Sequence, residues 1–263
     1  MKSVLEHNRR AWDERVSRRA RFTKPLDVTL LKQPLREIDR HGWLGREIVG
    51  RRVLCLASGG GRQALLYAAA GARVTVVDIS ARMLALDRRV ASECGLDLHT
   101  VEASMDDLSM LPAHSFDIIV QPVSSCYVPE LAAVYREVAR VVVLGGLYVS
   151  QHKQPTSLQT CLEPSSTGYE IREPYFREGA LPQTREHPAR ECGTLEFLHR
   201  WDQLIGELCR SGFVLEDLSE PYHANEGATA GSFEDRSRFV APYVRLKARR
   251  IEGGVSNSPL WVP

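Results

Sequence analysis

Residues 53–64, VLCLASGGGRQA, constrain the fold more than any other stretch. An apolar run of strand length stops at three consecutive glycines and continues into sequence rich in Ala and Leu, which favour helix. A strand that feeds a helix through glycines makes a ligand-binding turn. Gly59, Gly60 and Gly61 let the backbone take positive φ and come close to a ligand, and the first free N–H groups of the helix point toward it.

The pattern after this turn repeats the strand–helix alternation. RVTVVD at 73–78 is a buried strand ending in an acid, and Gly71 before it is placed as a helix C-cap. Ser80 can cap a helix in which Met83, Leu84, Leu86 and Val90 recur at helical spacing up to Gly95. LHTVE at 98–102 and FDIIVQ at 116–121 read as the third and fourth strands. A helix over about 130–141 and a fifth strand at LYVSQ follow, the latter after Gly145-Gly146. From Thr194 the pattern predicts a helix ending at Ser211-Gly212, then strands at FVLEDL and YVRLKA (243–248). The prediction is a Rossmann-like α/β fold: a seven-stranded, mostly parallel sheet with helices on both faces.

Two segments fall outside the alternation. Residues 1–22 place Trp12 and Val16 on one face of an amphipathic helix among many arginines, and 23–50, with Pro25 and Pro34, extend it into an N-terminal helical cap over residues 1–50. The core then spans 51–251. Inside it, about 154–193 is rich in Pro, Glu, Arg and Tyr and too long for an ordinary connection, which marks an insertion after strand five with the character of a lid. Residues 252–263 read as a loose tail. A net charge of +1 gives no whole-molecule attraction to nucleic acid, and no apolar run is long enough to span a bilayer, so a cytoplasmic protein with a small-molecule partner is expected. The six scattered cysteines contain no C-x-x-C pair and read as free thiols, with no metal site.

Gly59, Gly61 and Ala64 fit the dinucleotide pattern G-x-G-x-x-G/A, and Asp78 stands 17 residues after Gly61 at a strand end, where a carboxylate can accept hydrogen bonds from ribose hydroxyls. The two together indicate an adenosine-type ligand at the switch point of a doubly wound sheet. More specifically, VLCLASGGG (53–61), VTVVDIS (74–80), VEASMDDLSML with SFDIIVQ (101–121), and HRWDQLIGELCRSGFVLEDLSEP (199–221) resemble, in order, the motifs of class I S-adenosylmethionine-dependent methyltransferases. The resemblance covers roughly residues 50–250 and lies near the small-molecule group that includes the ubiquinone and menaquinone biosynthetic enzymes.

The resemblance implies S-adenosylmethionine as cofactor. Its methionine part would lie over Ala57, Ser58, Gly59 and Gly61, and Asp78 would hold the ribose. Ile79 and Met83 would flank the adenine, Ser104 and Met105 would face its edge, and Gln121 would lie beneath the sulfonium. Cys55 stands where the family usually has an acid, Ala57 where it has glycine, and Ser104 where it has aspartate.

Methyl transfer needs an oriented nucleophile and, where that nucleophile is protonated, a proton acceptor. Tyr127, His152 and Lys153 stand near the carboxyl ends of strands four and five. His152 is the best placed base by its ordinary pKa, the alternative being a hydrogen-bonded strand-end histidine. Tyr175 and His199, with Glu170, Glu173, Phe176 and Arg200, could line a substrate pocket or lie in a solvated loop. Trp12 could cover the cofactor or pack. Cys126 could act as a nucleophile only beside a base. Competing readings are a catalytically silent S-adenosylmethionine-binding protein, motivated by Cys55 and Ser104, and an NAD(P)-dependent oxidoreductase, motivated by the glycine turn. An RNA base methylase is disfavoured because Gln121-Pro122-Val123-Ser124 replaces the Asn-Pro-Pro-aromatic motif of amino-group methylation.

Overall fold

The computed structural model describes residues 2–24 and 26–252; Pro25 and most of the expected tail lie outside that range. The N-terminal segment holds α1 (Lys2–Ser17), a 3-10 turn at Val28–Lys32 and α2 (Pro34–Ile38). The alternating part begins with β1 (Arg52–Leu56), α3 (Gln63–Ala69), β2 (Arg73–Asp78) and α4 (Ala81–Glu93). It continues with β3 (His99–Glu102), β4 (Phe116–Gln121), α5 (Leu131–Val141), β5 (Val142–Lys153) and α6 (Pro155–Gln159). Beyond the insertion come a π-helical turn at Asp202–Gly206, α7 (Glu207–Arg210), β6 (Phe213–Ser219), α8 (Phe233–Arg236) and β7 (Tyr243–Arg250).

The strands form one seven-stranded sheet in the order β3-β2-β1-β4-β5-β7-β6. Strands β1 to β5 run parallel, and β7 is antiparallel to both β5 and β6. Alternate residues of each strand enter different cores, as the pleat requires. Leu54 and Leu56 pack with Val134, Tyr135 and Val138 of α5 and Leu208 of α7. Val53 and Cys55 face the other way, onto Ala64 and Tyr67 of α3 and Ile48 of the N-terminal segment. Each fully buried aliphatic side chain in these layers contributes about 1.5–3 kcal/mol relative to exposure. Both faces are covered, as the Rossmann-like prediction requires.

The helix expected from Thr194 does not form until Trp201. Residues 194–200 run irregularly through the interior because tertiary partners occupy their backbone groups. Leu195 N–H donates to Asn8 Oδ1, Phe197 N–H to the Cys126 carbonyl, and the Glu196 carbonyl accepts from Leu181 N–H. With those groups taken, the i to i−4 ladder starts only beyond them. No helix among the described residues is long and apolar enough to cross a membrane.

Candidate active site

The strand order reverses between β1 and β4, and a cavity of about 280 Å³ opens there at the carboxyl ends of the strands, where ligands of open α/β sheets bind. One end is walled by Ala57, Ser58, Gly59, Asp78, Ile79, Met83 and Met105, seven of the residues that the resemblance assigns to a cofactor. The other end is formed by Ser124, Tyr127, Gln151, Glu191 and Tyr243. Trp12, Arg21 and Phe22 of the N-terminal segment roof it.

The glycine turn is fixed from below by acids. Asp78 accepts from Gly59 N–H and Ser80 N–H, both at 2.9 Å. Asp87, on the buried face of α4, accepts from Gly60 N–H at 3.1 Å and Gly61 N–H at 2.9 Å. The glycines are required by this close approach: a Cβ on Gly59 would stand 2.8 Å from the Met83 Cβ, and one on Gly60 2.9 Å from the Phe22 carbonyl oxygen. Ala57, where the family has glycine, holds φ at +49°. That conformation costs an L-residue about 1–2 kcal/mol. Ala57→Gly is therefore expected to stabilise the protein by about 1 kcal/mol in urea unfolding.

Burial pushes Asp78 up to about 6 and Asp87 up to about 7, against the pull of the N–H groups that each accepts. The folded chain thus keeps protons that the unfolded chain, with carboxyls near about 3.9, has released. Stability from this pair is greatest in acid and is lost as pH rises from about 4 through about 7. Thermal unfolding of the ligand-free protein is expected to show a midpoint that falls over this range, flattened by Asp87→Asn.

The other expected residues divide. Tyr127 lines the cavity, with its hydroxyl donating to Glu191 Oε2 at 2.8 Å and its ring edge-on to Trp12 at 5.5 Å. Burial pushes its phenol well above the ordinary value. Gln121 lies under the cavity without lining it: its Nε2 donates to Ser124 Oγ and its Oε1 accepts from Tyr148. Gly61 turns its N–H to Asp87 and its carbonyl to Leu26 N–H, below the lining. Ser104 also stays out of the lining, between Ala103 and Met105, which belong to it.

His152 is a correction. It is fully buried outside the cavity, with Nδ1 2.8 Å from Ser125 Oγ and Nε2 2.8 Å from Ser150 Oγ. Burial first, then His199, lowers it to about 3, so it is a neutral core imidazole and no base for a cavity ligand. Strand parity gives the reason: Gln151 and Lys153 lie on one face of β5 and His152 on the other. His199 and Tyr175 are corrections too, since neither lines the cavity. His199 Nε2 lies 3.0 and 2.9 Å from the carbonyls of Ser125 and Val128, with burial lowering it to about 4. Tyr175 receives Trp201 N–H on its hydroxyl, and Phe176 is exposed beneath the Arg200 guanidinium. Glu170 pairs with Arg172 and Glu173 with Arg177, so these acids hold the insertion together. Cys126 is buried, which pushes its thiol up and makes it inert.

The insertion instead supplies Glu191. Its Oε2 accepts from Lys153 Nζ at 2.5 Å, and Lys153 also pairs with Glu196 at 2.9 Å. Asp87 carried a readable signal, an acid on the apolar stripe of its helix. Gln151 followed from parity once one face of β5 was known. Nothing near Glu191 in sequence distinguished it.

A methyltransferase-domain family model matches residues 54–150. The chain is 32% identical over 255 residues to the uncharacterized methyltransferase YbaJ of Bacillus subtilis, covering 91% of this chain and 94% of that protein. It is 34% identical over 124 residues to the ubiquinone biosynthesis O-methyltransferase of Aromatoleum aromaticum, covering 46% of this chain and 53% of that protein. An S-adenosylmethionine-dependent methyltransferase structure from Mesorhizobium loti shares the fold, with a TM-score of 0.64 at 22% identity, covering 84% of this chain and all of that one. The chain belongs to the class I S-adenosylmethionine-dependent methyltransferases.

Proposed function

We propose that the methyl acceptor is a small molecule, taken up at the Ser124–Tyr127–Gln151–Glu191–Tyr243 end of the cavity, with the cofactor at the glycine-turn end. The observation that carries this is the enclosure of the site. Helix α1 is fastened across the insertion by Arg15 to Glu186 at 2.9 Å, by Asn8 to the Leu195 backbone, and by His7 to the Gly193 carbonyl. Arg21 reaches the Pro188 carbonyl. Such a roof leaves room for a drug-sized body and none for a folded RNA or protein segment.

The residues at the glycine turn fit the cofactor. Ser58 Oγ is buried with no hydrogen-bond partner among the described residues, and a polar ligand group supplies one. Ala57 and Gly59 offer backbone at close range, and the amino-acid part of the cofactor lies along it. Each Asp78 oxygen has a lone pair left after its N–H contact, which the ribose hydroxyls fill. Ile79 and Met83 would flank the adenine and Met105 would face its edge. Bound there, S-adenosylmethionine supplies a methyl carbon activated by its sulfonium. The chain orients the acceptor against it and excludes water.

Incubating the protein with methyl-tritiated cofactor and a fractionated cell extract tests this. Label is expected in the low-mass fraction. Label confined to the RNA or protein fraction overturns the reading.

A further inference from the structure

Glu191 stands at the acceptor end with half of its carboxylate committed. Oε2 accepts both the Lys153 ammonium and the Tyr127 hydroxyl. Oε1 has no hydrogen-bond partner among the described residues, is not shut away from the cavity, and belongs to a residue that lines it. Lys153 is spent on the far side, between Glu191 and Glu196, so the cavity meets an oxygen and no cation from this cluster. The cavity that it faces also carries the rings of Trp12, Tyr127 and Tyr243 and the Arg21 guanidinium, which is held by the Pro188 carbonyl.

On the reading proposed above, we infer that Glu191 Oε1 is the group that receives the acceptor, and that the acceptor is an uncharged aromatic molecule presenting a hydroxyl. A hydroxyl gives its proton to Oε1 in a hydrogen bond and keeps a lone pair for the methyl carbon. An anionic acceptor meets a like charge there. A carbon nucleophile leaves Oε1 desolvated and unpaired. A thiol is only a weak donor.

Alkylamines are excluded by the direction of proton flow. Burial opposes ionisation of Glu191, but Lys153 and Tyr127 outweigh it and hold the carboxyl below the ordinary range. An alkylamine is therefore kept as its ammonium, which has no lone pair. An N-methylated alkylammonium is too weak an acid to release its proton to this group. The O-methylated oxonium is a far stronger acid than any carboxyl, and it releases its proton at once. The step balances: the hydroxyl oxygen forms the new O–C bond as the C–S bond breaks with its electron pair on sulfur. The hydroxyl proton passes to Oε1 and then to water. Tyr127 and Lys153 are positioning residues, since they act by fixing Oε2.

The test uses the whole chain and three probes with one aromatic body: 2-naphthol, 2-naphthylmethylamine and naphthalene-2-thiol. Methyl transfer is read by mass spectrometry. The wild type is expected to methylate 2-naphthol in preference to the other two. Glu191→Gln is expected to lose about 100-fold in kcat, while binding S-adenosylhomocysteine unchanged. Preference for the amine or thiol overturns the inference, as does a hydroxyl probe left unmethylated by protein that binds the demethylated cofactor. Undiminished turnover in Glu191→Gln also overturns it. The probe comparison in wild type stands even where the variant fails to fold. Failure of the wild type to bind S-adenosylhomocysteine overturns the functional reading itself.

Discussion

Lys153→Met is expected to cost about 3–5 kcal/mol of stability, read from the urea midpoint, because it leaves buried charge without its partner. Lys153 and Glu196 are among the most buried charged side chains of the molecule, and Glu191 is nearly as buried. Arg190, 2.9 Å from Glu196, can hold one carboxylate but not both. The pH dependence identifies the cause. In the wild type Glu191 is held below its ordinary range, so its contribution is present above about pH 4.3 and fades as pH falls. Without the ammonium, only the Tyr127 hydroxyl and the more distant Arg15 oppose burial at Glu191, and the sign reverses, so the penalty grows as pH rises above about 4. The gap between the two proteins is expected to be widest near neutrality and to narrow in acid. A simple loss of packing gives no such narrowing.

Asp87→Ala is expected to weaken S-adenosylhomocysteine binding about tenfold or more by calorimetric titration, although Asp87 does not line the cavity. It is also expected to cost about 2–4 kcal/mol in unfolding. The carboxylate is the acceptor for two consecutive glycine N–H groups, each of which costs about 1–3 kcal/mol when left buried without a partner. Released from α4, the turn no longer presents Ser58 and Gly59 in one conformation, and the ligand must supply that ordering itself. Asp87→Asn keeps one acceptor oxygen and is expected to fall between the two.

The fold was legible in the sequence where period and punctuation agree. Every strand from β1 to β4 lies within a residue or two of its apolar run, and Ser80 caps α4 through the Met83 N–H as its position implies. What the sequence could not carry were contacts made across long separations. Leu195 needs Asn8, Glu191 needs Lys153, and no local pattern announces either. That is why the helix expected from Thr194 starts late and why the insertion contributes Glu191 rather than Tyr175. The His152 expectation failed for a smaller reason: a strand places neighbours on opposite faces, and the choice between Lys153 and His152 was one of parity. Seven of the residues expected at the cofactor end do gather around one cavity, because they sit in or beside the turn, where sequence distance and spatial distance coincide.

Helix α1 touches both margins of the cavity. Asp13 accepts from Ser80 at the head of α4, while Arg15, less than one helical turn away, grips Glu186 of the insertion. One rigid rod is thus fastened at both margins, and its release is expected to gate the departure of the reaction products. Chemistry in such a vessel outruns emptying, so the first turnover is expected to appear as a burst followed by a slower steady rate. Arg15→Ala should raise that steady rate and leave the burst unchanged, which makes the tempo of this enzyme a property of its first seventeen residues.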